Sequence, residues 1–140
     1  MSDTSFKEYK AWDINTRLFH WINVLCVIVL SILGLIMLNK SSLGISGTEA
    51  SIGLKALHVT VGYVFATNLI IRIIWGFVGP PLSSFKSLLP GKNFKQELTA
   101  FNASEKAGQP QTFIGHNPKG RVFLLVMFLL MTTIMVTGMV

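Results

Sequence analysis

Three histidines are the residues of this chain whose type and position best suit chemistry. His20 and His58 lie within long apolar segments, and His116 lies just before a third such segment. An ionisable side chain is costly inside a membrane and is therefore a functional candidate by default. Zinc-binding spacings such as H-E-x-x-H or C-x-x-C do not occur, and neither does the nucleophile motif G-x-S-x-G. A zinc site is thus weakly supported, and a hydrolase still less.

A haem iron needs a different arrangement, with one imidazole on each side of the ring, usually from two helices. The ring also needs a small residue where it lies against a helix, and its propionates need a cation. Gly62 follows His58 by four residues, on the same helical face. Arg17 and Lys55 each stand three residues before a histidine, so either can pair with propionate carboxylates.

Arg72 is a third candidate cation for the propionates. It follows His58 by 14 residues, which is close to a whole number of helical turns. At 1.5 Å per residue it projects from the same face about 21 Å further along the helix axis. In a chain that crosses the membrane and returns, this position places Arg72 at the depth of His20.

Each of these residues also has a structural interpretation, which the sequence leaves open. Arg17 and Lys55 can be interfacial anchors at helix ends. His20, beside Trp21, can be an interfacial residue. His116 precedes Asn-Pro and can belong to the start of a helix instead of binding a cofactor.

The composition places these residues in a membrane protein. Hydrophobic residues make up 51% of the 140 residues and charged residues only 13%, compared with about 25% charged in an average globular protein. Mean hydropathy is +0.57. Three segments, at about 18–38, 52–78 and 120–140, are long enough to cross a bilayer. We therefore predict an all-α integral membrane helical bundle.

Charge and cysteine content exclude several classes of protein. The single cysteine, Cys26, cannot form a disulfide within the chain, and the absence of C-x-x-C-H excludes a covalently attached c-type haem. The net charge of +6 indicates membrane-flanking lysines in so apolar a chain, so no nucleic-acid partner is expected.

The connection between the second and third apolar segments carries its own helix signal. Gly79-Pro80-Pro81 ends the second helix, and Asn117-Pro118 begins the third with an N-cap and a first-turn proline. Between them, phenylalanine or leucine recurs at 94, 98 and 101, with lysines around it. This spacing predicts a short amphipathic helix on the membrane surface, with a solvated loop as the alternative.

The basic residues predict the orientation. Ten of the 12 lysines and arginines lie in the N-terminal segment, in the long connection or near the end of helix two beside it; Lys40 and Lys55 lie on the other side. Because positive charge favours the cytoplasm, we expect a multi-pass protein with a cytoplasmic N-terminus.

Four motifs, taken in order, carry a family resemblance. They are W-D at 12–13; R-L-F-H-W at 17–21; His58 with Gly62, followed by Arg72, W-G-F at 75–77 and Gly79; and G-H-N-P-K-G-R at 115–121. The set resembles the bacterial membrane-bound di-haem b-type cytochromes, a family that includes the b-type cytochrome subunit of nickel–iron hydrogenases. The resemblance runs from Trp12 to Gly138.

The resemblance implies a four-helix bundle that holds two non-covalent haems b near opposite membrane faces. It implies that His20 is an axial ligand of the cytoplasmic-side haem and His58 of the outer-side haem, with Arg72 as a propionate partner. The family's fourth helix carries the opposing histidines. We expect these 140 residues to be the N-terminal part of one four-helix membrane domain, or to be completed by another chain.

We therefore predict an electron-transfer subunit in the bacterial inner membrane, rather than an enzyme that acts alone. Its partners would be the quinone pool and a hydrogenase, a cytochrome c or another periplasmic oxidoreductase. Two alternatives remain open: a haem-free membrane anchor or assembly subunit, and a small transporter or proton pathway. A transporter or proton pathway would need several ionisable residues along one membrane face. Only His58 and Arg72 qualify, which disfavours this second alternative.

Overall fold

The chain folds into helices connected by short loops. The structure, a computed structural model, describes residues 13–109, 111–113 and 115–139, and no strand occurs among them. Five helices follow in order: α1 (Ile14–Leu38), α2 (Thr48–Val78), α3 (Phe85–Leu88), α4 (Phe94–Lys106) and α5 (Pro118–Met139). Of these, α1, α2 and α5 are long and apolar enough to cross a membrane. The predicted all-α bundle with three candidate membrane spans is confirmed.

The spanning helices begin slightly earlier than the apolar segments predicted. Helices α1 and α2 start at 14 and 48 instead of 18 and 52; α5 starts at Pro118, as the Asn117-Pro118 signal predicted, two residues before the apolar segment at 120. The carboxylate of Asp13 accepts from the backbone N–H of Thr16 at 3.2 Å and so caps α1. Asn117 caps α5 in the same way, accepting from the Gly120 N–H at 2.6 Å. Polar caps thus extend α1 and α5 beyond their apolar stretches, whereas α2 begins after Gly47 without a side-chain cap.

Some positions used above lie outside the described residues. They are Trp12 of the first motif, the N-terminal lysines at 7 and 10, and Val140 at the end of the third predicted span.

The predicted amphipathic segment forms α4, a surface helix attached to the start of α5. Glu97 accepts from Arg121 at 3.2 Å, and Glu105 pairs with Lys119. The Lys119 ammonium also lies 5.3 Å from the centre of the Phe101 ring. No residue of α4 is buried, so these contacts between partly exposed side chains are what attach the helix to α5. Its position on a membrane surface stays a prediction.

The core is built around α2, which packs along α1 on one side and against α5 on another. Its centre is Cys26 of α1 with Phe65 and Leu69 of α2; Leu69 is fully buried. Phe128 and Met131 of α5 pack against this group. Cys26 is thus a packing residue, and the outward faces of all three spans carry exposed large apolar side chains that suit contact with lipid.

A buried asparagine pair links α1 to α2 beside this core. The Asn68 amide donates to Asn23 Oδ1 at 2.7 Å and to the Phe19 carbonyl at 3.0 Å. Asn23 in turn lies 4.0 Å from the sulfur of Met131 on α5. Because hydrocarbon offers no alternative partners, such a pair fixes how the two helices are rotated against each other.

Asn68→Leu is expected to lower stability by about 1 to 2 kcal/mol, because the apolar side chain leaves the buried Asn23 oxygen without its donor. The measurement is thermal unfolding in detergent, followed by circular dichroism. The double variant Asn23→Leu/Asn68→Leu should lose less than the sum of the single variants. Strictly additive losses would show that the two amides do not interact.

Candidate functional site

Two separate cavities hold most of the predicted site residues. The first, of about 350 Å³, lies between α1 and α5 and reaches Arg72 of α2. The second, of about 220 Å³, lies between α2 and α5 near His58. No residue lines both cavities. The first falls within the usual range of about 300 to 1,000 Å³ for small-molecule sites, and the second lies just below it.

The first cavity brings together four residues that the sequence proposed for cofactor binding. Arg17 and His20 come from α1, Arg72 from α2, and His116 from the loop before α5. Both α1 side chains are largely exposed and so form the open side of the cavity, whereas Arg72 is only 9% exposed. The cavity therefore has a buried cation at its base and an imidazole at its open side.

The two terminal nitrogens of the Arg72 guanidinium differ in their hydrogen bonding. Its Nη2 donates to the Ser83 carbonyl at 3.2 Å, and its Nη1 is buried with no hydrogen-bond partner. The rings of Phe85 and Phe128 lie 5.8 and 5.4 Å from its central carbon. A Cβ at Gly76 would overlap the Phe85 ring, so this glycine permits the close packing. An unpaired buried N–H of a cation is suited to an anionic oxygen.

Asp13 forms a hydrogen-bonded cluster at the end of the first cavity that the sequence analysis missed. Its carboxylate accepts from the Trp75 indole at 3.2 Å, from the Thr16 hydroxyl at 2.6 Å and from the Ser83 hydroxyl. Burial raises the pKa of Asp13, but the hydrogen bonds from Ser83 and Thr16 outweigh it and lower the pKa to about 2. An aspartate just before an apolar helix signals an N-cap, and that signal was available.

His116 lies in the first cavity, while the capping of α5 belongs to its neighbour Asn117. Burial lowers the pKa of His116, and the positive charges of Arg72 and Arg121 lower it further. The imidazole is therefore neutral at pH 7, the form that binds metals. This placement favours the cofactor interpretation of His116 over the helix-start interpretation.

The second cavity contains His58 and Gly62 but not Lys55. The Nδ1 atom of His58 is buried without a hydrogen-bond partner, and a Cβ at Gly62 would meet no atom within 4 Å. Open space beside the half-buried imidazole of His58 is what a flat ring lying against the helix requires. Lys55 is exposed, one turn nearer the start of α2.

No group of three or more His, Cys, Asp or Glu side chains that could hold a metal ion forms within the described ranges. Imidazoles beside open space, accompanied in the first cavity by Arg17 and Arg72, instead fit a metal carried in by an organic ring with acidic side chains, as in haem.

A family model described as prokaryotic cytochrome b561 matches residues 11–140. The chain belongs to this family. The match extends over nearly the whole chain, so it covers both cavities and all three spanning helices, and the family predicted from the motifs is confirmed. No solved structure gives a significant match.

Curated relatives of this cytochrome b561 chain carry consistent names. The probable Ni/Fe-hydrogenase 1 B-type cytochrome subunit of Escherichia coli (strain K12) is 29% identical over 147 residues, covering 98% of this chain and 61% of the relative. The corresponding subunit of Cupriavidus necator is 25% identical, covering 96% and 58%. That of Azotobacter vinelandii is 29% identical, covering 91% and 56%. The chain thus spans less than two thirds of the length of these relatives.

Proposed function

We propose that this chain forms part of a b-type cytochrome that transfers electrons across the bacterial inner membrane, between a hydrogenase-type redox partner and quinone. The observation that carries the proposal is the pair of separate cavities, of which the first is lined by His20 and His116 and the second by His58. The names of the curated relatives support the haem and the partner. When bound, each haem takes up and releases one electron.

In the first cavity, His20 is the proposed axial ligand of a haem b. The partnerless Nη1 of Arg72 would bind a propionate oxygen at the buried end, and the exposed Arg17 would bind from the open side. His116 lines the same cavity and would lie beside the edge of the ring. The side chains of this cavity would thus hold the ring and compensate the negative charge of its propionates.

In the second cavity, His58 is the proposed axial ligand of a second haem b, and Gly62 provides the flat surface next to it. The apolar lining lowers the local dielectric, which raises the cost of charge on the ring and so tunes its potential. Lys55 is exposed and outside the lining, which favours its alternative role as an interfacial anchor.

The opposing axial ligands, in this proposal, come from a fourth helix of the same membrane domain. Two features support it. His20 is exposed on the open side of its cavity, and α5 offers no histidine among its described residues. A helix that covers both cavities, with one histidine toward each membrane face, would complete both iron sites and shield the rings from lipid.

The test is a pyridine haemochrome assay with iron analysis on the complete gene product. Two haems b per chain are expected. A purified, folded protein without haem would overturn the proposal and leave the haem-free anchor as the function.

The proposed orientation makes a separate prediction, which rests on the distribution of lysine and arginine. Reporter fusions after Ser46 and after Lys106 should report opposite sides of the membrane, with Lys106 in the cytoplasm. Paired alkaline phosphatase and fluorescent-protein fusions provide reciprocal readouts. The same side at both positions would contradict the three-span arrangement.

A further inference from the structure

We propose that Asp13 is a positioning residue for Arg72 and the fixed counter-charge of the first cavity; this rests on the proposed function, in which a haem occupies that cavity. The two residues are joined through Ser83. The Ser83 hydroxyl donates to Asp13 Oδ1, and the Ser83 carbonyl accepts from Arg72 Nη2 at 3.2 Å. A continuous hydrogen-bonded path therefore runs from the start of α1 to the guanidinium at the base of the cavity.

The second oxygen of Asp13 fixes the carboxylate from the α2 side. Oδ2 accepts from the indole N–H of Trp75 at 3.2 Å, and Trp75 lies about one turn beyond Arg72 on the same helix. Thr16 donates to the carboxylate through both its hydroxyl and its backbone N–H. Both oxygens are thus occupied by donors from α1, α2 and the following loop, so the carboxylate has one fixed position.

The charges explain why an acid is needed at this point. A buried cation is costly unless a counter-charge compensates it, and Arg72 is 9% exposed. The described ion pairs, Lys119–Glu105 and Arg121–Glu97, involve neither Arg72 nor Asp13. Asp13 is the acidic residue whose charge acts on Arg72, and with a pKa of about 2 it stays ionised. Asp13 compensates the cation while Ser83 occupies Nη2, which leaves Nη1 for an anion in the cavity.

Loss of the carboxylate charge has a defined electrical consequence. The cavity becomes more positive, which stabilises the electron-richer, reduced state of a haem held there. The potential of that haem therefore rises. A group that only supported packing would lower haem content or stability without shifting the potential in this direction.

Asp13→Asn is the test variant, because asparagine is an equally good N-cap and retains a side-chain acceptor. The haem of the first cavity is identified as the spectral component that disappears in His20→Ala. In the complete protein carrying Asp13→Asn, the reduction potential of this component is expected to rise. The equilibrium constant for reduction of this haem should increase by about tenfold, which is about 59 mV for a one-electron couple. Trp75→Phe is the matched control, since it removes one hydrogen bond to the carboxylate but keeps its charge; its shift should stay below about twofold.

Three results would overturn the proposal. One is a wild-type potential in Asp13→Asn with both haems present. Another is an equal shift in Trp75→Phe, which would assign the effect to packing. The third result concerns the case in which Asp13→Asn does not retain haem. Asp13→Glu restores the charge and should then retain haem at a potential near that of the wild type. Loss of haem in Asp13→Glu would refute the role of Asp13. Failure of the proposed function itself is distinguishable, because the wild-type protein would then carry no haem component dependent on His20.

Discussion

His20→Ala is expected to eliminate one of two haem components in the complete protein, and His58→Ala is expected to eliminate the other. The two imidazoles lie in cavities that share no lining residue. They stand near opposite ends of the spanning helices, so the iron sites should be roughly 20 Å apart within about 30 Å of hydrocarbon. One ring cannot reach both. Low-temperature reduced spectra and potentiometric titration resolve the two components.

His116→Ala is the matched control for this pair, because His116 shares the cavity of His20 and none of the lining of His58. Any change it causes should be confined to the component that depends on His20. If His20→Ala and His58→Ala instead removed the same single component, the two-site interpretation would be refuted.

Arg72→Leu is expected to weaken haem binding in the first cavity by about 10- to 100-fold. The guanidinium Nη1 is buried without a protein partner, and a charge-assisted hydrogen bond from it to a propionate contributes about 1.5 to 3 kcal/mol. The measurement is haem retained per chain during challenge with an excess of a haem-binding apoprotein. The component that depends on His58 is the internal reference, because Arg72 does not line its cavity.

Two further variants distinguish the geometry of the Arg72 guanidinium from positive charge in general. Arg72→Lys keeps the positive charge but loses the planar fork that serves Ser83 and the cavity at once, so intermediate binding is expected. Arg121→Leu removes a partly exposed arginine that pairs with Glu97 and does not line the cavity, and binding should stay within about twofold. Equal losses in Arg72→Leu and Arg121→Leu would point to general surface charge.

The structure distinguishes two basic residues by their positions relative to the cavities. Arg17 and Lys55 looked equivalent in sequence, since each precedes a histidine by three residues. Only Arg17 lines a cavity, while Lys55 is exposed beyond the other one. Spacing along a helix places two side chains on one face, but it does not determine whether a cavity extends as far as both.

The three spanning helices, α4 and their order could be predicted from the sequence, whereas the short helix α3 could not. Apolar length predicted the three spans because a bilayer sets a minimum, and Asn117-Pro118 predicted the start of α5 because a capping side chain and a proline suit that position. The pattern at 94, 98 and 101 likewise predicted α4. The helix starts were less accurate, since the caps at Asp13 and Gly47 lie outside the apolar stretches. These are local properties, which a few neighbouring residues encode.

The grouping of these residues into sites, in contrast, depends on contacts between distant segments of the chain. Arg72 meets Asp13 through Ser83 because the loop after α2 folds back over the helix end, and His116 joins His20 because the approach to α5 passes the same place. Helical periodicity fixes a residue's angle on its own helix. The rotation of one helix against another is fixed by contacts between distant segments, such as the buried amides of α1 and α2, and these pairings are not visible along the chain.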